Sequence, residues 1–213
     1  MTAFSGFPVA ALDFYEDLEA DNSKSWWTAH KAVYDESVHA PMAALLAELE
    51  PDFGQAKLFR PYRDVRFAKD KSPYKTHQGG FCAVGPALGY YVQLDARGLF
   101  VAGGFYQADP DRVGRFRAAV DSDLRGGQLE TITRDLEAAK FEIGGDRLKT
   151  TPRGYSVEHP RIELLRHKSL TASRLYASPK WLDTRRTATE VRKAWESLRP
   201  LVEWATDVVG APA

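Results

Sequence analysis

The chain has 213 residues, 44% of them hydrophobic and 27% charged, and its formal net charge is zero. That length can bury a sizeable apolar core, so a single domain over residues 1–213 is expected. Neutrality removes any global field toward nucleic acid or anionic membrane, and the one cysteine, Cys82, excludes a disulfide framework and a cysteine-built zinc cluster.

The first helix is predicted from Pro8 to about Ala20, with Ala11, Leu12, Tyr15 and Leu18 on one side. Asp21-Asn22-Ser23 stops it and caps a second helix carrying Trp26, Trp27, His30, Val33, Tyr34 and Val38. Pro41 kinks or restarts that helix before Met42, Leu45, Leu46 and Leu49. The period then changes. Lys57 to Phe67 alternates, as do Gly89 to Leu94 and Leu99 to Tyr106, and Gln78 to Val84 reads as a further strand. Asp95-Ala96-Arg97-Gly98 is a tight turn that makes a hairpin of its neighbours. Asp109-Pro110 opens a helix to about Ser122, and Leu124 to Lys140 holds another. Arg147 to Ser156 is read as irregular, Arg161 to His167 as one or two helical turns, and Ser169 to Ala177 as a weak strand. Asp183-Thr184 caps a last helix with Ala188, Val191, Trp195, Leu198, Val202 and Ala205 on one face, bent near Pro200. Helices, then a meander of strands, then helices argue for α+β, a central antiparallel sheet flanked by N-terminal and C-terminal helices.

The segment Arg63-Asp64-Val65-Arg66-Phe67-Ala68-Lys69-Asp70-Lys71-Ser72-Pro73-Tyr74-Lys75 carries seven charged residues. If the strand runs through Phe67, Arg63 shares a face with Phe59, Pro61, Val65 and Phe67, while Asp64 and Arg66 lie beside Tyr62 on the other. A guanidinium keeps its charge, so Arg63 must meet a carboxylate, carbonyl oxygens, water or an anionic ligand. Lys69-Asp70-Lys71-Ser72-Pro73 has turn chemistry. Arg60 to Phe81 holds six Lys/Arg against two Asp, and Gly79-Gly80 leaves room for a backbone or ligand to come close. Two readings stand: an anion-binding cluster, or a network of ion pairs that implies no ligand.

This segment resembles, position by position, the R-D-x-R-F-x-K-D-K-x-P-Y-K signature of the family known as domain of unknown function 2461. Further similarities lie at Asn22 with Trp26, His30 with Tyr34, Gly89-Tyr90-Tyr91, Gly103-Gly104, Pro152-Arg153-Gly154-Tyr155, His159-Pro160 and Lys168, and Trp27 stands where the family pattern has phenylalanine. The resemblance covers nearly the whole chain. It implies one domain and no particular substrate, reaction or cofactor.

Among the remaining candidates, Asn22 reads first as a helix cap, and His77 as an acid or base beside a bound oxyanion or as a plain loop residue. His159 reads as a turn residue, and His167 adjoins Lys168, whose ammonium would depress its pKa. No metal-binding, nucleophile-elbow or dinucleotide motif occurs, so no metal ligand and no cofactor are assigned. Cys82 reads as a small buried hydrophobe. The leading expectation is a small-molecule site in which Arg63, Arg66, Lys69, Lys71 and Lys75 hold a phosphate or carboxylate. Trp26, Tyr62 and Tyr90 would form its rim, and Asp64, Tyr74 or His77 would serve proton transfer. A nucleic-acid or protein-binding module is the alternative, disfavoured for nucleic acid by the neutral charge, and a purely structural brace is the third reading. Met1 to Pro8 lacks the regions of a signal peptide and no run reaches bilayer length, so a cytoplasmic protein without a membrane partner is expected.

Overall fold

A computed structural model describes residues 3–66 and 69–210. Helix α1 (Ala10–Ala20) buries Ala11, Phe14, Tyr15 and Leu18, the spacing of one helical face. Ser23, not Asn22, caps α2 (Lys24–Val33), its hydroxyl accepting from the Trp26 amide at 3.2 Å. The helix does not break at Pro41. It passes through a π-type turn (Tyr34–His39) into α3 (Ala40–Phe53). Pro41 has no N–H to give, and its ring crowds the carbonyl four residues back, so the widened turn absorbs it.

Strands β1 (Gln55–Leu58), β2 (His77–Gly85), β3 (Leu88–Asp95), β4 (Gly98–Phe105), β5 (Glu142–Gly144) and β6 (Leu170–Leu175) form one antiparallel sheet in the order β1-β2-β3-β4-β6-β5. The first four are the expected meander. Strand β5 falls between the helix predicted to end at Lys140 and the irregular stretch from Arg147, where no element was expected, and it pairs antiparallel with β6 through Glu142–Ser173, Ile143–Ala172 and Gly144–Thr171. The β3–β4 turn needs its glycine: Gly98 has φ +119°, and a Cβ there would lie 1.5 Å from the Ala177 carbonyl oxygen.

The expected strand from Lys57 to Phe67 is not continuous. It ends at Leu58, and Phe59 adds one backbone bond to Gly79. Pro61, with no N–H, interrupts the ladder, and pairing resumes at a single antiparallel bridge, Tyr62–Tyr74. The face assignment of Phe67 lies outside the described residues.

The remaining helices are α4 (Pro110–Asp121), α5 (Asp123–Ala138), the single turn α6 (Ile162–Leu165) and α7 (Arg186–Ala205). Every residue of the predicted α7 face, from Ala188 to Ala205, is buried. The chain divides into two compact units. One comprises Met1–Cys82, Tyr91–Val101 and Leu175–Lys193. Its interior holds Phe14, Trp27, Tyr34 and the α3 leucines, with Leu46 packed onto Gly80. The other comprises Ala83–Tyr90, Ala102–Arg174 and Ala194–Ala213. Phe116 stands at its centre, with ring centroids 5.3 Å from Phe105 and 5.9 Å from Trp204. No helix among the described residues is long and apolar enough to cross a membrane.

Candidate functional site

Residues 61–66 and 69–75, which include the described part of the charged segment and are called the arm below, are held together at their base. The two sides pair through Arg63 N–H to the Pro73 carbonyl at 2.9 Å and Lys75 N–H to the Pro61 carbonyl at 2.8 Å. The Asn22 side chain then acts as a third strand. Its amide donates to the Tyr74 carbonyl at 3.0 Å, and its oxygen accepts from the Tyr74 N–H at 3.1 Å. The Tyr74 ring lies flat on Trp27, centroids 4.0 Å apart and planes 7° apart, with Tyr62 at 5.5 Å on its other side. Next along the chain, Gln78 is fully engaged: its amide donates to the Phe59 and Gly79 carbonyls and its oxygen accepts from the Tyr34 hydroxyl at 2.6 Å.

Strand alternation sorts the rest. Tyr74, Gln78 and Gly80 turn inward, so Arg63, Lys75, His77 and Gly79 take the opposite face. The space above Gly79 and Gly80 goes to neither a ligand nor a backbone. Tyr91 covers the first and Leu46 the second. Beyond Tyr91 a polar chain runs along β3: its hydroxyl donates to Gln93 at 2.7 Å, the Gln93 amide donates to Asp95 at 2.9 Å, and Arg97 donates to the same carboxylate at 2.7 Å. Burial works to raise the Asp95 carboxyl, but hydrogen bonds from Arg97 and Gln93 outweigh it and hold the group below the usual carboxylate range.

His77 is half-buried on this face, and its ring makes no hydrogen bond among the described residues. Burial pushes its pKa below 6.5, the charges of Lys75, Arg63 and Arg97 push it further down, and Asp95 opposes them. The imidazole is therefore neutral at neutral pH, able both to donate and to accept.

Arg63, Arg66, Lys71 and Lys75 each have a partner within the arm or, for Lys75, at the adjoining Arg60. Arg63 pairs with Asp70, which also accepts from the Ser72 amide and hydroxyl in a local turn. Arg66 grips Asp64 through two nitrogens at 2.9 and 2.6 Å, and these bonds hold the carboxyl down. The Lys71 ammonium reaches the Val65 carbonyl at 3.0 Å, and that of Lys75 the Arg60 carbonyl at 3.1 Å, 5.7 Å from the Phe59 ring centre. Lys69 is exposed. Tyr74 points into the unit, where burial raises its phenol further from neutrality. Of the three rim aromatics, Tyr62 is exposed, Trp26 is half-buried and stacked on His30 at 4.1 Å, and Tyr90 is no rim residue at all. It is 2% exposed and packs on Trp195.

The structure thus brings Arg63, Lys75 and His77 to one face and adds Asp95 and Arg97, which the sequence assigned only to a hairpin turn. The signal for them was present in the polar alternation Tyr91, Gln93, Asp95. His167 has its pKa lowered, as expected, but by burial and the charge of Arg147. Lys168 instead pairs with Asp146. Cys82 is fully buried, and burial pushes its thiol up to about 12. No cluster of three or more His, Cys, Asp or Glu able to hold a metal occurs among the described residues.

A comparison with curated proteins finds no match. The family model described as "Conserved hypothetical protein (DUF2461)" matches residues 10–204, which include α1, the arm, the sheet and nearly all of α7. The chain belongs to the DUF2461 family.

Proposed function

We propose that the face carrying His77 binds a small molecule through a phosphate or carboxylate group. Arg63, Lys75 and Arg97 supply the charge and His77 a neutral hydrogen-bonding group. The observation that carries the reading is strand alternation that sets a half-buried His77 on one face with Lys75 and Arg63, within electrostatic reach of Arg97 and of one carboxylate, Asp95, that is itself already bound. Placed among these groups, an oxyanion would gain charge-assisted bonds and would favour the protonated imidazole. Arg66, Lys69 and Lys71 add long-range attraction from the arm. Asp64 is a counter-ion in this reading, and His77 is the group that exchanges a proton near neutral pH.

The arm's ion pairs favour a second reading, in which they only brace the loop. They are solvent-exposed, and pairs of that kind contribute little to stability, so a bidentate ligand competes with them readily. The test is a titration of the His77 imidazole by NMR, alone and with inorganic phosphate, pyrophosphate or citrate, alongside thermal melts. Binding raises the His77 pKa and the melting temperature, with about 2.7 kcal/mol of stabilisation at a hundredfold excess over Kd. Arg63→Met and Lys75→Met each abolish the rise while the fold survives. A His77 titration unmoved by all three anions leaves only the brace. A steeply salt-dependent response to oligonucleotides alone would replace the proposal with nucleic-acid binding.

A further inference from the structure

We propose a second, independent ligand site within the unit that contains α4 and β6: a cavity of about 430 Å³ that takes a small monocarboxylate with an apolar body. Its lining combines the apolar Tyr106, Val113 and Leu148 with the charged Arg117, Asp146 and Lys168. Its volume falls in the range of sites that enclose a small organic molecule.

The polar lining is built rigidly. Asp146 is clamped to the chain at 168–169. Its carbonyl accepts from the Lys168 N–H at 2.7 Å, its own N–H donates to the Ser169 hydroxyl at 2.7 Å, and its carboxylate pairs with the Lys168 ammonium at 2.7 Å. The preceding Gly145, at φ +114°, lets the strands approach so closely that a Cβ would lie 2.2 Å from the Ser169 carbonyl oxygen. Arg117 rises from α4 and donates through Nε to the Leu165 carbonyl at 3.1 Å. That bond fixes the plane of the guanidinium, and among the described residues its terminal nitrogens make no hydrogen bond or ion pair.

Charge decides the ligand class. Two cations against one carboxylate leave the cavity one positive charge in excess, enough for a monoanion and too little for a phosphate dianion. A planar carboxylate matches the free fork of Arg117, with Lys168 as second partner. The apolar lining residues then ask for a ring or branched chain, and Tyr106, 55% exposed, supplies an aromatic surface to it.

The experiment uses the full chain with phenylacetate as probe, phenylacetamide as its neutral counterpart and inorganic phosphate as the bare anion. It reads methyl resonances of Val113 and Leu148 and affinity by calorimetry. Phenylacetate is expected to shift both methyls; the amide and phosphate are not. Arg117→Gln should weaken phenylacetate by roughly tenfold or more, the value of a charged hydrogen bond. Lys168→Met and Tyr106→Ala, at partly or fully exposed positions, weaken it too and decide the matter if Arg117→Gln does not fold. Methyls unmoved by phenylacetate, equal binding of the amide, or full affinity in the variants would overturn the site. These readouts are separate from the His77 titration, so either proposal stands or falls alone.

Discussion

Replacing Asn22 by alanine removes the one side chain that satisfies both backbone groups of Tyr74. Tyr74 is 6% exposed and stacked under Trp27, so its N–H and C=O have few routes to water. An unsatisfied buried backbone group costs about 1–3 kcal/mol. Asn22 itself is only half-buried, and water entering the vacated space recovers part of the loss. A net destabilisation of about 2 kcal/mol follows from two bonds so discounted. Urea unfolding followed by tryptophan fluorescence and circular dichroism measures it, with an unchanged m-value showing that the folded state is otherwise intact. Hydrogen exchange locates it: the Arg63 and Lys75 amides, which pair across the arm, should lose protection with Tyr74. Asn22→Asp keeps the acceptor but sets a carboxylate oxygen against the Tyr74 carbonyl, so it should cost at least as much. If Asn22→Ala costs less than about 0.5 kcal/mol, a typical surface substitution, and leaves those amides protected, the latch is not what holds the arm.

Acid should weaken the fold from about pH 6.5 downward. Burial holds both His77 and His167 below 6.5, so the unfolded chain takes up their protons first; this contribution is fully present above 6.5 and is lost as pH falls toward the folded values. His77→Gln and His167→Asn should each flatten a plot of stability against pH, and stability that rises on acidification through this window would contradict the assignment. Gly98→Ala should destabilise by more than about 3 kcal/mol, because both the positive φ and the Ala177 carbonyl forbid a side chain; a melting temperature within error of the parent would refute that geometry.

Repeating local signals made most elements readable in advance. The apolar spacing of Ala188, Val191, Trp195, Leu198, Val202 and Ala205 defines the buried side of α7 without reference to any partner, and the turn at Asp95–Gly98, which joins β3 to β4, is read from four consecutive residues. Where the local signal was weak, reading failed. Strand β5 has three residues and owes its existence to β6, some thirty positions later. The charged arm alternates like a strand, but Pro61 and Pro73 limit it to one bridge.

What the sequence determined by itself is the period of each segment, its caps and turns, and the concentration of cations near residue 70, since all of these depend on neighbours a few positions apart. Tertiary structure alone decided that Asn22 would pair with Tyr74, that β6 would lie between β4 and β5, and that the charges of Lys75, Arg63, Arg97 and Asp95 would act on His77. The physical reason is one of range. A hydrogen bond or a Coulomb field acts over ångströms of space, and only the folded chain sets which distant residues fall within them.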